Sequence, residues 1–105
     1  MSAITTHVLD TSRGRPAAGV PVTLAMREDH GEFSEIGSGA TDADGRLRTL
    51  VPGNRKLERG IYRLTFDTSA YFASIGVHGF YPEVSIVFEV SSADEHYHVP
   101  LLLNA

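Results

Sequence analysis

The segment "HYHVPLLLNA" at residues 96–105 carries two of the five histidines of the chain within three positions. Read as a strand over residues 95–103, its alternation places His96, His98, Pro100 and Leu102 on one face and Tyr97, Val99, Leu101 and Leu103 on the other. A third histidine, His7, stands between Thr5 and Leu9 on one face of "ITTHVLD". Imidazole titrates near pH ~6.5, so it can take a proton and return it at neutral pH, and its neutral ring is also a frequent metal ligand. Histidines in this pattern therefore admit two chemistries, acid–base transfer and the three-ring ligation of zinc. The zinc reading lacks any carboxylate or partner group that the sequence identifies, and alternation alone does not bring His7 to His98. Of the others, His30 and His78 fall in loops and read as solvated, while His96, at the entrance of its strand, reads as exposed, with a supporting partner of the site as the alternative. Arg46 follows Asp44 and Gly45, and taken alone it reads as a solvated side chain just after a hairpin turn.

The elements that must position these groups are mostly strands. In "VPVTLAMRE", Val20, Val22, Leu24 and Met26 share a face against Pro21, Thr23, Ala25 and Arg27, the period-two pattern of a half-buried strand. "EVSIVFEV" repeats it, with Val84, Ile86, Phe88 and Val90 on one face. "AITTHVLD", "EFSEIGSG", "RLRT" and "IYRLTF" are weaker strands, separated by the turn segments "SRGRPAAG", "TDADG" and "VPGNRKLERG". One stretch departs from this rhythm. "DTSAYFASIG" offers Asp67 or Thr68 as N-cap, apolar Tyr71, Phe72 and Ile75 at helical spacing, and Gly76 as C-cap, which predicts one short helix over about 67–76. Strands with one dry face must bury it against a second sheet, so the expected fold is all-β: an antiparallel sandwich of two sheets with a helix between two of its strands.

At 105 residues and 42% hydrophobic content, the chain suits one domain over residues 1–105. A net charge of -4 leaves no basic footprint for nucleic acid, and no apolar run approaches the ~18 residues that span a bilayer. The sequence has no cysteine, which excludes disulfides and thiol catalysis. The residues after Met1 lack the basic head and apolar stretch of a secretory signal, so a cytoplasmic location is expected.

The motifs "TTHVLDTSRGRPAAGVPVTL", "TDADGR", "FDTSAYFASIGV", "FYPEVSIVFEV" and "HYHVPLLL", in this order over essentially the whole chain, resemble the transthyretin-related 5-hydroxyisourate hydrolase family. The resemblance implies a transthyretin-like sandwich of two four-stranded sheets and a homotetramer with active sites in the groove between dimers. It also implies hydrolysis of 5-hydroxyisourate in urate degradation, with His7, Arg46 and His98 as catalytic residues and no cofactor or metal. Such chemistry suits the side chains, since opening a lactam ring needs a proton acceptor and a partner for the oxyanion. Members of that family continue past "LLL" through a further strand that closes on a tetrapeptide of the form Tyr-Arg-Gly-Ser. This sequence stops at Ala105, so that strand either lies outside these residues or is lacking, and in the latter case "LLL" stands at a sheet edge. Two other readings stand beside the hydrolase. One is a three-histidine zinc module. The other is a non-catalytic small-ligand carrier on the same fold, which would replace the polar trio with apolar or small groups.

Overall fold

The computed structural model describes residues 3–53 and 55–105, arranged as eight strands and one helix. The first sheet is built on β1 (Ile4–Asp10). One edge of β1 carries β8 (Tyr97–Leu103) along its whole length, and the other edge carries two short antiparallel segments, β2 (Arg15–Pro16) and β5 (Arg46–Leu47). The second sheet runs β4 (Phe33–Ala40), β3 (Pro21–Arg27), β6 (Gly60–Phe66), β7 (Val84–Val90), antiparallel throughout.

The alternating residues meet between the sheets. Ile4 and Val8 of β1, Val22 and Leu24 of β3, Leu64 and Phe66 of β6 and Val90 of β7 are buried there with Val20 and Leu103. Each such side chain contributes roughly 1.5–3 kcal/mol by leaving water. Thr6 also points inward from β1 and is fully buried; its hydroxyl is satisfied by donating to the Val99 carbonyl at 2.6 Å. On β4, Gly37 sits at a bulge in the β3–β4 ladder, where a Cβ would collide with the Leu50 carbonyl. Glycine there lets the loop after β5 close over the core.

The helix α1 (Thr68–Ser74) joins β6 to β7 and buries Tyr71 and Phe72. Asp67 is its N-cap, accepting from the Ala70 amide at 3.0 Å. Its C-cap is Ile75 rather than Gly76. Gly76 stands one residue further, at φ +73°, where its amide donates to the Ala73 carbonyl and that of Val77 donates to Phe72. Glycine is favoured there because the turn that ends the helix is left-handed.

Two features differ from the sequence expectation. The sandwich is not antiparallel throughout, because β8 runs parallel to β1 in the register Ile4↔Tyr97 to Asp10↔Leu103. The reason is topological: after β7 the chain leaves the second sheet and enters the first beside the start of β1, where the Tyr97 amide donates to the Ala3 carbonyl at 2.8 Å. A short hairpin would have forced the antiparallel sense. Segment "SRGRPAAG", expected as a turn, contains β2, which exists only through its pairing with the end of β1. "VPGNRKLERG" is loop over its described residues up to Arg59, with Asn54 outside them, and its final Gly60 opens β6. No strand among the described residues pairs with the other edge of β8. No helix among them is long and apolar enough to cross a membrane.

Candidate active site

Because Ile4, Thr6, Val8 and Asp10 face inward, alternation turns Thr5, His7 and Leu9 to the outer face of the first sheet. The parallel register sets His98 of β8 beside Thr5, and the antiparallel register of β5 sets Arg46 beside His7. Strand β1 thus carries the centre of the site, with an imidazole from one neighbour and a guanidinium from the other. Thr5, Thr6, His7, Arg46, Arg48, His96 and His98 line one cavity of about 240 Å³.

Arg46 is placed by the turn before it. Asp42 Oδ1 accepts from the amides of Asp44 and Arg46, both at 2.9 Å, and the Asp42 amide donates to the Arg46 carbonyl at 2.8 Å. The Arg46 amide, then that of Asp44 and the charges of Arg48 and Arg46, hold the Asp42 carboxyl below the usual carboxylate range against the cost of its desolvation. Gly45 lies at φ +78° with its carbonyl accepting from the Val8 amide at 2.7 Å, and a Cβ there would strike the Val8 carbonyl. The turn can press against β1 only because that residue has no side chain.

The same turn orients His7. Its Nε2 lies 3.0 Å from the Asp44 carbonyl oxygen. A carbonyl only accepts, so Nε2 carries a proton, which leaves Nδ1 as the position of the lone pair in the neutral form of the ring. His98 is held differently, with Nδ1 at 2.9 Å from the Thr5 hydroxyl. His98 is exposed to solvent, yet the protein around it removes enough hydration to push its pKa down, and His7, His96 and Arg46 beside it push it further. The neutral, proton-accepting form is favoured.

The structure therefore brings His7, Arg46 and His98 together at one cavity. His96 is exposed, as read from the sequence, and it also lines the same cavity with Nε2 at 3.0 Å from the Thr5 hydroxyl. Thr5 and Arg48 were not singled out in the sequence. Thr5 shares the outer face of His7, and Arg48 stands two residues beyond Arg46, so alternation could have found both. His30 pairs with Glu32 at 3.3 Å and His78 lines a separate hollow beside α1. Larger hollows, of about 430 Å³ beside Leu101–Asn104 and about 550 Å³ beside α1, show no such convergence of imidazole and guanidinium. Among the described residues no group of three or more His, Cys, Asp or Glu side chains is placed to hold a metal ion, so the three-ring zinc arrangement is not assembled.

Residues 4–105 match the model of the HIUase/transthyretin family. The chain belongs to that family. A relative from Salmonella dublin, 5-hydroxyisourate hydrolase, is 42% identical over 101 residues, spanning 96% of this chain and 73% of its own. Among solved structures of the HIUase/transthyretin fold, transthyretin from Sparus aurata superposes with a TM-score of 0.90 at 29% identity, covering 100% of this chain and 92% of the other. The 5-hydroxyisourate hydrolase of Klebsiella pneumoniae superposes at 0.81 with 33% identity, covering 99% and 90%. The all-β sandwich expected from the sequence is the family's fold, with the parallel β1–β8 pair as the one correction to its strand sense.

Proposed function

We propose that this protein is a 5-hydroxyisourate hydrolase of urate degradation, opening the six-membered lactam ring of its small-molecule substrate by histidine-assisted attack of water. The observation that carries the reading is the convergence of His7, Arg46 and His98 on one cavity of a chain this similar to named hydrolases.

The hydrogen bonds of the two histidines support the following mechanism. His98 Nε2 takes a proton from water as the water oxygen adds to the lactam carbonyl carbon, and the carbonyl electron pair moves onto its oxygen. Arg46, a permanent cation with a planar fork of donors, holds that oxyanion. Collapse of the tetrahedral intermediate breaks the C–N bond, and the departing nitrogen receives the proton from His98. The products are a carboxylic acid, which ionises, and a ring-opened N–H. His7, its Nε2 engaged by Asp44, offers Nδ1 as acceptor to a substrate N–H and so orients the ring. All three residues act without a metal or cofactor in this scheme.

The site lies on an outer sheet face, and its cavity is shallow. A homotetramer with its sites at the dimer–dimer groove would cover that face and exclude water from it. The carrier reading draws support from the close superposition on sea bream transthyretin. That superposition measures backbone, however, and the cavity here is lined by imidazole and guanidinium groups unlike an apolar ligand channel. An absorbance assay with freshly generated 5-hydroxyisourate separates the two: turnover above the spontaneous rate is expected, and a rate equal to buffer alone would remove the hydrolase assignment.

A further inference from the structure

Thr5 contributes nothing to the three roles above, yet it is the group on which the two histidines of "HYH" converge. It is only 4% exposed, and its single hydroxyl lies 2.9 Å from His98 Nδ1 and 3.0 Å from His96 Nε2. A hydroxyl has one proton to give and two lone pairs to receive with, so it can donate to one of these rings at most, and a ring to which it does not donate must donate to it. We propose that Thr5 is a positioning residue that ties the tautomer of His98 to that of His96, so that His96 acts on the reaction through Thr5 without touching substrate. The inference rests on the hydrolase reading for its catalytic consequence and on hydrogen-bond geometry alone for the linkage.

The linkage is a matter of proton counting. If Thr5 donates to His96 Nε2, then His98 must donate from Nδ1–H, and its lone pair stands on Nε2, the nitrogen that no described group occupies. His98 is then a base. When it takes a proton at Nε2, the bond from Nδ1–H to Thr5 and the bond from Thr5 to His96 remain as they were, so no donor has to reorient during the step. If His96 instead carries a proton on Nε2, it donates to Thr5 and frees the hydroxyl proton to turn to His98 Nδ1, and with that bond made Nε2 of a neutral His98 becomes a donor. The base is lost. A carbonyl acceptor, such as the one that fixes His7, could not make this exchange, since it has no proton to turn. Residues facing the pair are His7, Arg46 and Arg48, all cationic or neutral, so no carboxylate in the cavity competes for either ring.

The test replaces Thr5 by Val, which keeps the shape and removes the hydroxyl, and by Ser, which keeps the hydroxyl. Thr5→Val should lower kcat about 10- to 100-fold with KM changed less than about 3-fold, and Thr5→Ser should recover most of the loss. His96→Ala should lower kcat in the wild-type background and have no further effect in Thr5→Val, because its influence passes through the missing hydroxyl. Ring-nitrogen NMR should show His98 as the Nδ1–H tautomer in the wild type and as a mixture in Thr5→Val and in His96→Ala. That measurement needs no substrate, so it judges the linkage even if the protein proves inactive on 5-hydroxyisourate. An unchanged His98 tautomer in both variants, or losses for Thr5→Val and His96→Ala that simply multiply, would overturn the proposal. Should Thr5→Val fail to fold, the His98 spectrum of His96→Ala decides the same question.

Discussion

His98 can serve as a base only while its ring is neutral, and its desolvation, with the neighbouring charges of His7, His96 and Arg46, lowers its pKa in that sense. The sign carries through to activity: a depressed pKa keeps the base unprotonated to lower pH, so the acid limb of kcat/KM should fall below the ~6.5 of free imidazole. A limb at or above that value would contradict His98 as the base. His98→Asn removes the proton acceptor and should cost on the order of 10²-fold or more in turnover. His96→Asn should cost far less, since His96 reaches the chemistry only through a hydroxyl; steady-state rates of both variants at one pH give the ratio, and equal losses would argue against the assignment. Arg46 is tested by shape instead of charge. Lys at position 46 keeps the cation but loses the planar fork, so Arg46→Lys should reduce kcat/KM while leaving the denaturation midpoint in place, because the Arg46 side chain is exposed and only its backbone holds the turn.

The elements are joined at a second polar cluster, far from the cavity in role though on the same strand. Asp10, at the end of β1, is 1% exposed; its Oδ1 accepts from the Ser12 hydroxyl at 2.7 Å and from the amides of Ser12 and Arg13, while its Oδ2 accepts from the Tyr71 hydroxyl of α1 at 2.7 Å. Desolvation pushes its pKa up, but these bonds together outweigh it and the carboxyl sits below its usual value of 3.8. Stability from this group is therefore present above that value and lost as the pH falls through the lower, folded pKa. Tyr71→Phe leaves Oδ2 buried without its donor and should cost about 1–3 kcal/mol in urea unfolding at neutral pH, with a smaller further loss in acid than the wild type shows. A variant as stable as the wild type would mean that α1 is not anchored through this bond. The strand β3 was legible in the sequence because Val22 and Leu24 alternate with half-buried Pro21 and Thr23, although Ala25, read on the polar face, is buried as well, and α1 because its N-cap and apolar spacing agree. The pairing of β1 with β8 was not legible: its partners are more than ninety residues apart, and no local signal encodes a parallel register. For the same reason the faces of His7 and His98 could be read from the sequence while their meeting could not, and Thr5 was passed over because the partners of its hydroxyl exist only in that register. Arg46 was legible as a residue after a turn; its place beside His7 depends on a glycine that lets the turn touch β1.

At the scale of the molecule, the outer face of the first sheet does more than hold the cavity. Along β8 the residues that share the face of His98 are Pro100 and Leu102, and the register sets Leu102 beside Leu9 of β1. Leu102 is 66% exposed, so a strip of apolar surface leads directly away from the site. An isolated chain gains nothing from that arrangement, whereas a second copy laid over it would bury the strip and roof the cavity in one step, as a self-complementary two-fold contact does. The proposed homotetramer can thereby be tested at a particular side chain. If a second copy covers this face, Leu102→Glu places a charge in the contact, where burial without a partner is costly, but on the isolated chain it sits in water and should change folding stability by no more than about 0.5 kcal/mol. Light scattering should therefore report a smaller species for Leu102→Glu than for the wild type, with the same far-ultraviolet circular dichroism. Turnover should fall with assembly, because each cavity loses its roof. The wild type running as a monomer with full activity would defeat this account of assembly, and so would a Leu102→Glu variant that keeps both the wild-type mass and the wild-type rate. A variant that dissociates yet retains its rate would leave the tetramer standing and show that one subunit is enough for the chemistry, which would return the whole of catalysis to the face that β1, β5 and β8 build between them.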